Sequence, residues 1–193
     1  LVVICDDTYD ALTYDGEKAF SLSELPELRD RLIAVNSFSK RYAMTGWRAG
    51  YAFAPKPLMD ELLKVHDCAA ICAPTPSQYA ALASLTGSQD VYRDYVRQLE
   101  TRRELACAAL DGMGPRVTYV RPKGAFYVIA RYDVPGLASM DAAVRLINEA
   151  GVITIPGDAL GPGANQALRL SYGADEAELA QAFERMGRWF NAL

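Results

Sequence analysis

The stretch Ser-Phe-Ser-Lys-Arg-Tyr-Ala-Met-Thr-Gly-Trp-Arg-Ala-Gly-Tyr, residues 37–51, constrains this chain more than any other. It crowds small hydroxyls, a lysine, two glycines and an arginine into one turn-rich segment, directly after the apolar run 32–35, which reads as a buried strand. A group that leaves a strand end is held by a rigid scaffold, so Lys40 is aimed at a site. An amine so placed can form a Schiff base with a carbonyl compound once burial or neighbouring positive charge favours the free base, and Arg41 and Arg48 are the neighbouring charges. Arg48 can also fork onto a phosphate, while Ser37 and Ser39 offer hydroxyls to the same oxygens. A lysine beside a phosphate cradle points to pyridoxal 5'-phosphate. A basic surface loop is the blander reading, and the spaced Gly46, Arg48 and Gly50 argue against it.

The segment resembles the cofactor-lysine segment of fold-type I pyridoxal-phosphate enzymes, specifically the class I and II aminotransferases. Their pattern runs Ser-x-Ser-Lys, a short spacer, then Gly-x-Arg-x-Gly, and Ser37, Ser39, Lys40, Gly46, Arg48 and Gly50 meet it. Earlier in the chain, Asp6-Asp7-Thr8-Tyr9 follows the apolar run 1–5. Taken alone, two aspartates after a strand read as a turn or helix cap. The family's Asp-x-x-Tyr arrangement instead implies that Asp6 keeps the cofactor's ring nitrogen protonated and that Tyr9 hydrogen-bonds its ring oxygen; Asp7 competes with Asp6 but lacks the spacing to Tyr9. Further on, Pro122-Lys123-Gly124-Ala125-Phe126-Tyr127 resembles the family's Pro-x-Gly-x-Phe-Tyr strand entry. Arg169, in Leu-Arg-Leu-Ser-Tyr, matches the arginine that takes the substrate α-carboxylate through two parallel bonds. Without that match it would read as a surface charge.

Periodicity orders the rest. Strands are expected at 1–5, 32–35, 50–54, 117–120, 125–130, 152–155 and 167–172, and helices at 58–65, 77–85, 90–110, 140–150 and 175–193. The fold class is α/β: part of a mostly parallel large-domain sheet with helices, followed by an α+β small domain. The division is placed at residues 1–88 for the C-terminal part of the large cofactor-binding domain and 89–193 for the small C-terminal domain.

With 193 residues, 51% hydrophobic and 23% charged, the chain has the make-up of a soluble globular protein, and its net charge of −4 favours neither nucleic acid nor an anionic membrane. The four cysteines (Cys5, Cys68, Cys72 and Cys107) show no CxxC spacing and His66 is the sole histidine, so a reducing, cytoplasmic location is expected and a metal site is not. Cys68 and Cys72 read as buried thiols. The first residues, Leu-Val-Val-Ile-Cys, begin inside an apolar strand with no basic lead-in, which reads as a cut chain.

The resemblance implies an aminotransferase moving an amino group between an L-amino acid and a 2-oxo acid, with Lys40 as both covalent anchor and proton carrier. It also implies a homodimer, and a front half absent here without which the chain is inactive. A pyridoxal-phosphate lyase or synthase on the same scaffold, and an aminotransferase-like effector domain of a transcription regulator, are the alternatives. No lysine or arginine lies between His66 and Arg93, which disfavours one route to dicarboxylate selectivity.

Overall fold

A computed structural model describes all residues, Leu1 to Leu193. The chain divides into two compact units, Leu1–Val96 and Arg97–Leu193.

The first unit is built on a three-stranded sheet in the order β1 (Val3–Asp6), β2 (Leu32–Ser37), β3 (Gly50–Phe53). β1 and β2 run parallel with Cys5 opposite Ala34 and Asp6 opposite Val35, whereas β2 and β3 are antiparallel with Ser37 opposite Gly50. The expected strand at 1–5 thus begins two residues later and ends on Asp6 itself. A continuous apolar run of this kind is expected to be covered on both faces, yet Val3 and Cys5 are half-buried while Ile4 is exposed, as is every residue of β3. The connection from β1 to β2 folds into two 3-10 turns, Leu22–Glu24 and Pro26–Arg31. A capping box starts the first: Ser21 accepts from the Ser23 amide at 3.1 Å, and Glu24 reaches back to the Ser21 amide at 3.3 Å.

Three helices follow the sheet: α2 (Lys56–Ala69), with proline in its first turn, α3 (Thr75–Thr86) and α4 (Asp90–Asp111). Pro74 caps α3 and Pro76 lies in its first turn, where an amide has no intrahelical acceptor to lose. A further correction concerns the thiols. Cys68 and Cys72 are exposed, since Cys68 lies in the last turn of a helix that buries no residue and Cys72 lies beyond its end; only Cys107 is buried. No helix is long and apolar enough to cross a membrane.

The second unit carries an antiparallel sheet in the order β4 (Val117–Tyr119), β5 (Tyr127–Tyr132), β7 (Ala167–Ser171), β6 (Ile155–Pro156). Its buried residues are Val117, Val128, Ala130 and Tyr132 from β4 and β5, and Ala167, Leu168 and Leu170 from β7. Leu99, Ala106 and Leu110 of α4, Ala142 and Ala143 of α5 (Ser139–Arg145) and Phe183, Met186 and Phe190 of α6 (Glu176–Asn191) complete this core. Each fully buried leucine contributes about 1.5–3 kcal/mol by removal from water. Asp175 caps α6 by accepting from the amides of Ala177 and Glu178 at 2.9 and 3.0 Å. The expected helix 140–150 is α5 closed by a π turn, Leu146–Ala150, that ends on Gly151 in the left-handed region. Residues 152–154 alternate buried, exposed and buried as a strand would, but ladder pairing begins only at Ile155.

Candidate active site

The register of the first sheet decides which side chains meet. β1 and β2 are parallel, so both carboxyl ends lie at one edge, and β3 starts from that edge because Gly50 pairs with Ser37. Asp6 closes β1, Ser37 closes β2, and Arg48 lies two residues before β3. Groups far apart in sequence are thereby brought to within a few strand spacings of one another, each spacing being about 4.8 Å.

Lys40 sits on a single helical turn, α1 (Phe38–Arg41), that springs directly from β2. Ser37 caps the turn, its hydroxyl accepting from the Ser39 amide at 3.1 Å. The Phe38 amide donates to Ala49 O at 3.2 Å, and the Phe38 ring is buried in a cluster with Met44, Ala49 and Ala81. That ring packs on Tyr42 and Tyr51 at centroid distances of 6.0 and 5.7 Å. Phe38 is thus a peg that fixes the turn while Ser39 and Lys40 stay half-buried on it. Lys40 Nζ stands 5.9 Å from the Tyr9 ring centroid.

The two aspartates have different surroundings. Asp6 Oδ1 accepts from the Thr8 amide at 3.0 Å and the Thr8 hydroxyl at 2.5 Å. Asp7 is drawn elsewhere, accepting from the Cys5 thiol at 3.2 Å and the Ser21 hydroxyl at 2.6 Å. Burial, and next Asp7 itself, push the Cys5 thiol up.

Arg48 is exposed and adopts the left-handed region at φ 54°, donating to Thr45 O at 3.0 Å. The 3-10 turn before it, Thr45–Trp47, is fastened from below by the buried Ser77 hydroxyl, which donates to Trp47 O at 2.6 Å. Of the two motif glycines, Gly50 is demanded by packing, since a Cβ there would stand 2.7 Å from Asn36 O; at Gly46 a Cβ would meet nothing within 4 Å.

Sequence reading missed a polar group behind the lysine. Asn36 donates to Asp10 Oδ2 at 3.3 Å, and Arg41 approaches the same oxygen at 3.9 Å. Asp10 Oδ1 and Arg41 Nε are buried without a partner. Arg41, read as a charge for the lysine, lies 5.1 Å from the Tyr92 ring centroid and 5.9 Å from that of Tyr42. Burial, and secondarily the Asp10 carboxylate, raises the Tyr51 hydroxyl.

In the second unit, Arg169 lies half-buried on β7, its guanidinium carbon 4.7 Å from the Tyr127 ring centroid. A concavity of about 700 Å³ lies on β4, β5 and the turn between them, lined by Arg121, Lys123, Tyr127 and Arg131 among others. It does not include Lys40.

The donor set at the edge of the first sheet fits a phosphorylated aldehyde. A primary amine, an arginine and two serine hydroxyls are cationic or hydrogen-donating, and a carboxylate with one oxygen committed to Thr8 keeps the other available.

Residues 1–186 match the family model of aminotransferase class I and II. The chain belongs to that family, whose members share the fold-type I architecture. It is similar to the aromatic-amino-acid aminotransferase 2 of Thermococcus litoralis, at 36% identity over 96% of this chain and 48% of that protein. The aspartate aminotransferase of Pyrococcus abyssi is 35% identical over 96% of this chain and 48% of its own length. Among solved structures, an aromatic aminotransferase from Pyrococcus horikoshii superposes with a TM-score of 0.94 at 34% identity, covering 100% of this chain and 52% of that one. The Rhizobium meliloti aspartate aminotransferase gives 0.90 at 32%, covering 98% and 50%. The chain spans about half the length of the curated relatives it matches.

Proposed function

We propose that this chain is the C-terminal part of a pyridoxal-phosphate-dependent aminotransferase that moves an amino group between an L-amino acid and a 2-oxo acid. The observation that carries this reading is the convergence of Asp6, Tyr9, Lys40 and Arg48 at one sheet edge in a member of the aminotransferase family. Residues 1–88 would belong to the large domain and 89–193 to the small one, in a cytoplasmic homodimer.

Bound pyridoxal phosphate supplies an electron sink for the substrate α-carbon. Lys40 would hold the cofactor covalently, and its amine would serve as the base that carries the α-carbon proton. Ser37, Ser39 and Arg48 donate to the phosphate, a dianion that suits charge-assisted bonds. Asp6 keeps a proton on the ring nitrogen, and Thr8 holds its carboxylate in place with two bonds to Oδ1. Asp7 suits that role less, since both of its oxygens serve Cys5 and Ser21. Tyr9 steadies the ring oxygen, and Arg169 takes the substrate α-carboxylate.

The test is a half-reaction screen on the whole enzyme, in which single amino acids are added and loss of the lysine-bound cofactor absorbance is followed. Conversion by at least one L-amino acid, with release of its 2-oxo acid, is expected. Cofactor binding without conversion of any amino acid would overturn the transferase reading. The 193-residue chain alone, supplied with cofactor, an amino acid and 2-oxoglutarate, is expected to turn over nothing; enzyme-like turnover would refute its being one part of the catalyst.

A further inference from the structure

We propose that Tyr127 is a positioning residue for Arg169, its ring holding the guanidinium so that the N–H edge is presented to a substrate carboxylate. This rests on the reading of Arg169 as the carboxylate-binding arginine. In the antiparallel ladder Ile129 lies opposite Arg169 on one side and Ile155 on the other, so all three project from the open face of the sheet. Both isoleucines remain more than one-third exposed, at 37% and 38%. Tyr127 precedes Ile129 by two residues, shares its face, and sits diagonally to Arg169 within side-chain reach. The 4.7 Å from guanidinium carbon to ring centroid is inside the range of a cation–π contact.

The chemistry of the two contacts does not compete. A guanidinium stacks through its flat face and forks onto a carboxylate through its edge, so a ring that occupies the face leaves the edge free. An arginine on an open sheet face would otherwise sample many rotamers and lose that freedom on binding. Tyr127 and the flanking isoleucines restrict it beforehand, which lowers the cost of capture.

The ring is itself held through the backbone that leads to it. Three carbonyls of the strand entry are tied down. The buried Arg103 donates to Pro122 O at 3.1 Å, the Tyr172 hydroxyl to Ala125 O at 3.4 Å, and the Tyr172 amide to Phe126 O at 3.0 Å. Ala125 takes the left-handed region at φ 56°, the bend that starts β5, and the Phe126 ring lies 4.6 Å from that of Tyr127. Removing the Tyr127 ring therefore leaves the strand entry anchored and frees the guanidinium.

The experiment titrates pyruvate into the ¹⁵N-labelled chain and follows the Arg169 Nε–H resonance, identified by its absence in Arg169→Lys. A saturable shift is expected in the wild type. Tyr127→Phe, which keeps the ring, should bind pyruvate within about twofold of the wild type, whereas Tyr127→Leu should raise Kd about three- to tenfold and move the free resonance downfield as the ring current is lost. In the whole enzyme the same factor should appear in KM for the amino acid, with kcat within about twofold. An unchanged Kd in Tyr127→Leu, with wild-type binding intact, overturns the positioning role and leaves Arg169 as the carboxylate site. No pyruvate-dependent shift in the wild type overturns the role of Arg169 and this inference together. Should Tyr127→Leu lose its folded amide spectrum, Tyr127→Met takes its place, and an unchanged Kd there is equally fatal.

Discussion

Lys40 Nζ lies 5.9 Å from the centre of the Tyr9 ring, although the two residues leave different strands. The parallel pairing of β1 with β2 is what makes them neighbours, and the buried Phe38 is what keeps the lysine turn in place. Lysines 56 and 64 have other surroundings: both are exposed on α2, paired with Asp60 at 2.8 Å and Glu61 at 2.6 Å. Borohydride reduction of the whole enzyme should therefore place the pyridoxyl group on Lys40 alone. A peptide map that finds it on Lys56, Lys64 or Lys123 refutes the assignment.

Asp6→Asn should retain that trapped cofactor yet slow exchange of the substrate α-proton by about 100-fold or more, because an amide cannot stabilise a protonated ring nitrogen as a carboxylate does. Asp7→Asn should act on stability, since it weakens the bonds from Cys5 and Ser21. Deuterium exchange at the α-carbon measures the first effect and thermal unfolding the second. The reverse pattern would give the ring-nitrogen role to Asp7.

The motif glycines should separate in a stability measurement. Gly50→Ala drives a Cβ to 2.7 Å from Asn36 O across the β2–β3 ladder, and the strands must part to admit it, at a cost of about 1–3 kcal/mol. Gly46→Ala meets nothing within 4 Å and should change the stability of the chain by no more than about 0.5 kcal/mol. Equal melting temperatures for the two variants would show that the ladder accommodates a methyl group.

Stability should fall at both ends of the pH scale. The Glu104 carboxyl is held below the usual carboxylate range, first by the Arg121 hydrogen bond and then by Arg103. A depressed folded pKa stabilises above the unfolded value of about 4.3, and that stabilisation is lost as pH falls through the folded value. Tyr132 is the opposite case: burial, and then Asp158 and Asp141, push its hydroxyl up to about 12. Its contribution is complete below the unfolded value of about 10 and is lost as pH rises towards the folded one. Tyr132→Phe should flatten the alkaline fall measured by urea unfolding, and Glu104→Gln the acid one. Glu104→Gln should also lower stability at neutral pH, because Arg103, only 1% exposed, loses a charged partner.

Much of this was legible in residue order. The lysine motif, the strand before it and the long helix from residue 90 rest on local patterns of spacing and periodicity, and the structure has those elements where the patterns put them. What depends on partners distant in the chain was not legible. The alternation at 152–154 is real, but whether such a segment joins a ladder depends on β7, and only Ile155 and Pro156 do. The polar group of Asn36, Asp10 and Arg41 joins residues up to 31 positions apart through the pairing of β1 with β2, and no spacing rule announces it. Tyr127 was visible as part of a strand entry, while its ring against Arg169 follows from the register of β5 with β7.

The backbone at Arg48 bears on how defective variants could be found. A side chain in the left-handed region costs about 1–2 kcal/mol relative to glycine, which adopts it freely, though glycine gives part of this back through a looser unfolded chain. Arg48→Gly would thus delete a proposed phosphate anchor while leaving the melting curve nearly where it was. A thermal screen of the bare chain would pass such a variant as healthy, and only a titration with the cofactor would single it out.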